Sequence, residues 1–575
     1  LLAEAFWLLE GYFVRTLGMH RVYNSAFMNM LRDERNADYR QLITSTLEFD
    51  PQILKRYVNF MSNPDERTAI DQFGKDGKYF GVAAMMATMP GLPMFGHGQI
   101  EGYTEKYGME FRRPRWQEQP DEALVERHER ELFPILRRRH LFAEVDRFQL
   151  YDVFLADGSV DENVFAYSNA AGDERTLVLY HNRFGETHGW IRTSTPIAVK
   201  DDRGGKVLVQ RSLAEGLGVP AGDDRFLVFR DVTRGLEYIR SCPELIDQGL
   251  YTELGAYHLH VFLDFRLVED DATHRYRQLT TTLAGRGVPS IDEALAELVL
   301  APVLEPYRRL VGGALLEVLR VADPDAAQAD AEGLEAAASE VRELVRAISE
   351  EIEVRGEATA VERRVMATLE ALPLLADRVG GAAATTAAPE APPSGHDAVV
   401  MLAWAVTHAL GDLAEPDDGA EVSRSWIDEF LLGSVIQRTL ETQGQDPGAA
   451  RRGVTAVKLM IALGGWHAEP GARRVLRRLL SDRELQAFLG VNRHQGVLWF
   501  NRECFAETLI WLQRVAEVEI RRDHPDRATE RLAAADALLG AIRAAEAASG
   551  YRVEKLLEAA ERRRSNVERR TSNDT

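Results

Sequence analysis

Two acids in this chain stand where chemistry could be done. Glu4 interrupts the apolar run of residues 1–7, and Asp65 follows the apolar residues 58–61 within Asn63-Pro64-Asp65; His97 and Gln99 lie in a glycine-rich stretch, Gly96-His97-Gly98-Gln99. A carboxyl group that hands over a proton and a carboxylate that faces developing positive charge suit the cleavage of a glycosidic bond, whose oxygen leaves poorly until it is protonated. Read singly, each residue has an ordinary alternative. Glu4 could be a buried acid paired with an arginine, and Asn63-Pro64-Asp65 a turn favoured on backbone grounds alone. A strand ahead of each acid and the glycine loop behind them favour chemistry, because barrel enzymes carry their reacting groups at the C-terminal ends of strands. The segment holding His97 and Gln99 either contacts a ligand or merely turns, while Glu105, Lys106 and Glu110 read as a solvated charged face.

The elements that must position these groups repeat as strand then helix. Residues 1–7 read as a strand, 8–17 as a helix ended by Gly18, 20–30 as strand-like, 38–57 as a helix with a break at Asp50-Pro51, and 58–61 as a third strand. A helix near residues 78–89 then leads to a buried strand that opens into the glycine loop at residues 91–98. Three to four β/α units at this spacing predict the second half of a (β/α)8 TIM barrel over residues 1–118.

In order and spacing, Leu2-Ala3-Glu4-Ala5-Phe6, then Asn63-Pro64-Asp65, then Gly91-Leu92-Pro93 running to Gly98-Gln99-Ile100-Glu101-Gly102 resemble the fifth, seventh and eighth strands of the alpha-amylase family, glycoside hydrolase family thirteen. The match of these three motifs covers about a fifth of the chain. It implies Glu4 as general acid and base, Asp65 as the carboxylate that stabilises the distorted, oxocarbenium-like sugar, and Asn63, His97 and Gln99 as substrate contacts. It also implies a retaining hydrolase of α-glucosidic bonds whose substrate is an α-glucan or maltooligosaccharide. The family's nucleophile would lie upstream of Leu1, so the chain reads as the C-terminal portion of a longer enzyme, inactive alone. No cofactor is expected within it, and a structural calcium, if the enzyme has one, would lie upstream of residue 1. Two departures stand out: Pro64 replaces a sugar-contacting histidine, and Gly96-His97 replace paired tyrosines, with the nearby acid moved to Glu101. The alternatives are transfer to another sugar in place of hydrolysis, and a non-catalytic protein of glycan binding or assembly, which Pro64 supports.

Downstream the reading is a helical connector over residues 119–141, an antiparallel β domain over 142–270, a helical region over 271–379, an Ala/Pro-rich linker over 380–396 and a helical C-terminal domain over 397–575. Within the β domain, strands alternate with period two, as in Gln149-Leu150-Tyr151-Asp152-Val153-Phe154. Its position and Phe165-Ala166-Tyr167-Ser168-Asn169 resemble the β-sandwich that follows amylase barrels. Leu334, Val341, Leu344, Ile348 and Ile352 make one stripe of an amphipathic helix. Trp404, Trp426, Trp466, Trp499 and Trp511 read mainly as core, Arg493, His494 and Arg502 as candidate polar contacts, and the arginine-rich end as a solvated terminus.

Composition sets the outer limits. A net charge of −21 argues against general nucleic-acid binding and suits a neutral polyhydroxyl ligand. With 45% hydrophobic residues the chain can bury ordinary cores, and no apolar run reaches membrane-spanning length. The two cysteines, Cys242 and Cys504, fall in different expected domains and form no framework, which points to a reducing, cytoplasmic setting. Oligomeric state is left open.

Overall fold

The computed structural model describes residues 1–4, 10–106, 113–201, 205–313, 315–316, 327–372 and 395–561. The chain forms two compact units, one from Leu1 to Leu298 and one from Val299 to Thr575.

The first unit begins with alternating strands and helices: β1 (Leu2–Ala3), α1 (Glu10–Arg15), β2 (Arg21–Tyr23), α2 (Ser25–Arg32), α3 (Asn36–Phe49), β3 (Tyr57–Phe60), α4 (Ala69–Phe73), α5 (Gly77–Thr88) and β4 (Leu92–Met94). The strands pair in order and all in parallel, with Ala3 opposite Val22, Tyr23 opposite Val58 and Phe60 opposite Met94. Their C-terminal ends therefore share one rim. Residues 20–30 correct the sequence reading, since only Arg21–Tyr23 is strand and Ser25–Arg32 is helix. The switch is made by Asn24, whose side chain accepts from the Phe27 N–H and caps the helix. Ala26, Phe27, Met28 and Leu31 then form its buried stripe. Asp50 caps the 3-10 turn Pro51–Arg56 in the same way, which breaks the long helix where Asp50-Pro51 predicts.

An antiparallel sheet follows, built from β5 (Gln149–Phe154), β6 (Val164–Ala171), β7 (Glu174–His181), β8 (Thr187–Ser194), β11 (Arg225–Asp231), β12 (Leu236–Ser241), β13 (Leu250–Leu254) and β14 (Leu259–Glu269), with β9 (Ile197–Lys200) and β10 (Lys206–Val209) as a separate ribbon. The order is β12-β11-β14-β7-β6-β5-β8-β13, one continuous eight-stranded sheet rather than the two facing sheets of a sandwich. It curls on itself. Phe229 of β11 and Ile191 and Leu250 of β8 and β13, from opposite ends of that order, share one core. Alternation along the strands divides the faces. Tyr151, Val164, Leu177 and Phe262 enter this inner core, while Leu150, Phe165, Val178 and Val261 join the core of the parallel sheet and its helices. Between the two sheets, α5 is buried on every side from Tyr79 to Thr88. Gly81 lets it approach β7, because a Cβ there would lie 1.9 Å from the Tyr180 ring. Arg40 of α3, 3% exposed, ties the layers by donating to Asp152 Oδ1 at 2.5 Å, Glu162 Oε2 at 2.8 Å and the Val164 carbonyl at 2.9 Å.

Helices Arg275–Leu283 and Ile291–Val299 pack Leu279, Leu283 and Ile291 on Phe226, Val228 and Ile239, so this unit extends past residue 270, where the sequence reading ends the β domain. Among its described residues the second unit has a helical body and one hairpin, Asn492–His494 with Val497–Trp499. Val341, Leu344 and Ile348 line the buried stripe of Ala327–Glu351, and Trp404, Trp426, Trp466 and Trp511 lie in the same core. Arg493 and His494 stand exposed on the hairpin, whose turn residues Gln495 and Gly496 both have positive φ. The linker expected at 380–396 falls mostly, and the arginine-rich terminus from Arg562 wholly, outside the described residues.

Candidate strand-end site

Glu4 directly follows β1 and is exposed, and the residues Ala5 and Phe6 of its motif lie outside the described residues. Asp65 is exposed five residues after β3. β1 and β3 flank β2, so the two acids leave one rim from strands about 10 Å apart.

The turn that carries Asp65 is closed by its neighbour. Asn63 Oδ1 accepts from the backbone N–H groups of Asp65 at 3.0 Å and Glu66 at 2.9 Å, an Asx turn made by the asparagine side chain. From the other side Lys106 Nζ donates to the Asp65 carbonyl at 2.7 Å. The Asp65 carboxylate makes none of these bonds. Among the described residues it has no hydrogen-bond or ion-pair partner, whereas Asn63, expected to touch substrate, positions the turn.

Beyond β4 the glycine loop is held from below. Gln99 is 2% exposed; its Oε1 accepts from the Gly96 N–H at 3.0 Å and its Nε2 lies 3.3 Å from Met61 Sδ. The Tyr79 hydroxyl of α5 donates to the Gln99 carbonyl at 2.8 Å. Gln99 is thus placed inside the protein as a loop anchor, which corrects its expected place as a substrate contact. His97 is exposed at the tip, its ring 6.2 Å from that of Tyr103. Gly96 passes so close to β3 that a Cβ would lie 2.2 Å from Ser62 Oγ. Glu105 and Lys106 also differ from the solvated face expected of them. Glu105 accepts from the backbone N–H groups of Arg115 and Trp116 at 2.7 and 3.0 Å, and Glu118 in turn accepts from those of Thr104 and Glu105 at 2.8 and 3.0 Å. Slight burial works against the ionised Glu118, but these donors hold its carboxyl below the usual range. Glu110 lies outside the described residues.

Behind the rim, Asn24 and Asn59 are both 2% exposed and bonded to each other at 2.9 Å, fixing β2 against β3 at the level where the loops begin. The opposite face of the sheet carries Tyr23 and Phe60, ring centroids 5.4 Å apart, while the outer strands leave Leu2 52% and Leu92 47% exposed. Such a rim offers two water-facing carboxyls of separate strands and a histidine on a third. Among the described residues, no group of three or more His, Cys, Asp or Glu side chains could hold a metal ion. A hollow of about 500 Å³ opens elsewhere, between the β5–β6 and β7–β8 turns, and none of the five sequence-predicted residues lines it.

No family model matches the chain, and no curated protein does. Among solved structures it is similar to the alpha-amylase of Geobacillus thermoleovorans complexed with acarbose, at 14% identity and TM-score 0.32, over 47% of this chain and 53% of that one. Similar too are the cyclomaltodextrin glucanotransferase CldA, at 17% identity, TM-score 0.31 and coverages of 46% and 49%, and the acarbose-soaked debranching enzyme of Nostoc punctiforme, at 12%, 0.30, 46% and 50%. The chain spans about half the length of these proteins.

Lys106 and Glu118 were missed by sequence reasoning. Lys106 shares a short charged stretch with Glu105, and nothing in residue type marks a lysine that will reach a backbone carbonyl 41 positions earlier. No helix among the described residues is long and apolar enough to cross a membrane.

Proposed function

We propose that the protein belongs to an α-glucan-active glycoside hydrolase of the alpha-amylase type, with Glu4 as general acid and base and Asp65 as the carboxylate that stabilises the positively charged sugar. The observation that carries this reading is the division of labour at the β3 turn. Asn63 closes the turn and Lys106 braces it, so the carboxylate of Asp65 faces water with no bonding partner among the described residues. Glu4 leaves the same rim from β1. A retaining reaction needs a third carboxylate as nucleophile, and the resemblance puts that group outside the residues of this chain. In this reading His97, exposed on the loop after β4, is the substrate contact, and Gln99 and Asn63 act by holding the loops. Hydrolysis and transfer share this machinery and differ in whether water or a sugar hydroxyl reaches the intermediate.

The test is turnover of maltooligosaccharides by the enzyme that includes the nucleophile. Glu4→Gln keeps shape and removes the transferable proton, so activity falls by roughly 10²-fold or more at an unchanged melting temperature. Residues 1–575 alone give no cleavage. Unchanged turnover in Glu4→Gln would return Glu4 to a structural part.

A further inference from the structure

A second surface of the first unit carries aromatic side chains where the strand pattern calls for polar ones. From His188 to Arg192 of β8 and along β13 burial alternates: Gly189, Ile191, Leu250, Thr252 and Leu254 are buried, and His188, Arg192, Tyr251 and Glu253 are exposed. Trp190 shares that outward face and is only half-buried, and Tyr251 is 40% exposed. Register aligns the aromatic residues across three adjacent strands, with Phe154 of β5 opposite Trp190 and Trp190 opposite Tyr251. Paired residues of an antiparallel sheet project to the same side, so the three rings form a row about 10 Å wide. The Trp190 and Tyr251 rings lie 4.9 Å apart at 54°, a shallow wedge open to water. A half-buried indole beside an exposed phenol, on a face where neither completes a core, is the mark of a binding surface.

The edges of the row define what it takes. Arg192 lies with its guanidinium carbon 5.5 Å from the Trp190 ring and donates to the Gln248 carbonyl at 3.0 Å, so the cation that indole attracts is already supplied by the protein and held in place. Glu253 accepts from the Tyr251 hydroxyl at 3.1 Å, and His188 stands beside that ring at 6.4 Å. Arg192 and Glu253 carry opposite charges, so neither sign dominates among the groups that touch the two rings, and donors and acceptors border the apolar wedge. A pyranose ring has this complement, with an apolar C–H face and hydroxyls around its equator. We propose that Phe154, Trp190 and Tyr251 form a non-catalytic platform on which a neutral polysaccharide chain stacks, separate from the rim of Glu4 and Asp65. That the chain is an α-glucan rests on the function proposed above.

Native electrophoresis of residues 1–575 through gels containing soluble starch, mixed-linkage β-glucan or xylan tests both statements. Starch should retard the wild type, and Trp190→Ala and Tyr251→Ala should each weaken retention roughly tenfold, the equivalent of about 1.4 kcal/mol. Trp190→Phe, which keeps a stacking face, should retain it, and melting temperatures near wild type exclude misfolding as the cause. Retention by xylan or β-glucan alone, lost in Trp190→Ala, would uphold the platform and contradict the α-glucan reading. Starch retention that persists undiminished in both alanine variants would overturn the platform while leaving that reading intact. Retention of the wild type by none of the three polysaccharides would overturn the platform outright.

Discussion

The strand-end rim and the helical unit treat their polar groups in opposite ways. In the helical unit Lys458, 7% exposed, donates to Asp428 at 2.8 Å and Glu484 at 2.9 Å, and Arg424 reaches Asp482 at 2.5 Å and Glu484 at 2.9 Å. Trp466 is fully buried and its indole N–H finds the Leu512 carbonyl at 2.8 Å. These groups are consumed by the fold. At the rim, Asn63, Gln99 and Lys106 are consumed in the same sense, yet among the described residues the Asp65 carboxylate is left facing water. The contrast separates residues that hold a structure from residues that the structure holds out, and only the second kind is available to a substrate.

Each side of that contrast can be broken. Trp466→Ala should cost the helical unit about 3–5 kcal/mol through the cavity and the orphaned carbonyl, read as a lower melting transition; a shift near zero would mean that the core does not depend on it. Gly81→Ala should cost about 2–3 kcal/mol, because its methyl group overlaps the Tyr180 ring between the two sheets of the first unit. A smaller effect follows from pH. Burial, with Arg522 and Arg364 nearby, lowers the His408 pKa from 6.5 to about 3, so the fold holds the imidazole neutral while the unfolded chain protonates it. The stability from this group is complete above pH 6.5 and is lost as pH falls from 6.5 toward 3, about 1 kcal/mol by pH 5.5. His408→Gln should flatten that part of the denaturation profile. Least of all, Asn63→Ala should cost about 1 kcal/mol or less, since it loses two hydrogen bonds at the surface, while disordering the segment that presents Asp65.

Sequence carried the rim and missed much of what holds it. Apolar runs ahead of Glu4 and Asp65 mark strands because a parallel strand covered on both faces reads as a continuous apolar stretch, as Tyr57–Phe60 does. Residues 20–30 misled for a related reason. A three-residue strand and a short helix buried on one side give one long apolar pattern, and only the cap at Asn24 divides them. In β8 and β13, Trp190 and Tyr251 put apolar rings on the outward side and blur the apolar–polar alternation that marks a strand in sequence. The functions of Asn63 and Gln99 depend on which backbone groups their amides meet, and residue type does not record that.

The most direct measurement is kcat and melting temperature of Asp65→Asn on maltooligosaccharides, in the enzyme that includes the nucleophile. Because Asn63 and not Asp65 closes the turn, the melting temperature should stay at the wild-type value while kcat falls by roughly 10²-fold or more. A near-wild-type kcat would contradict the assignment of the strand-end carboxylates to sugar chemistry.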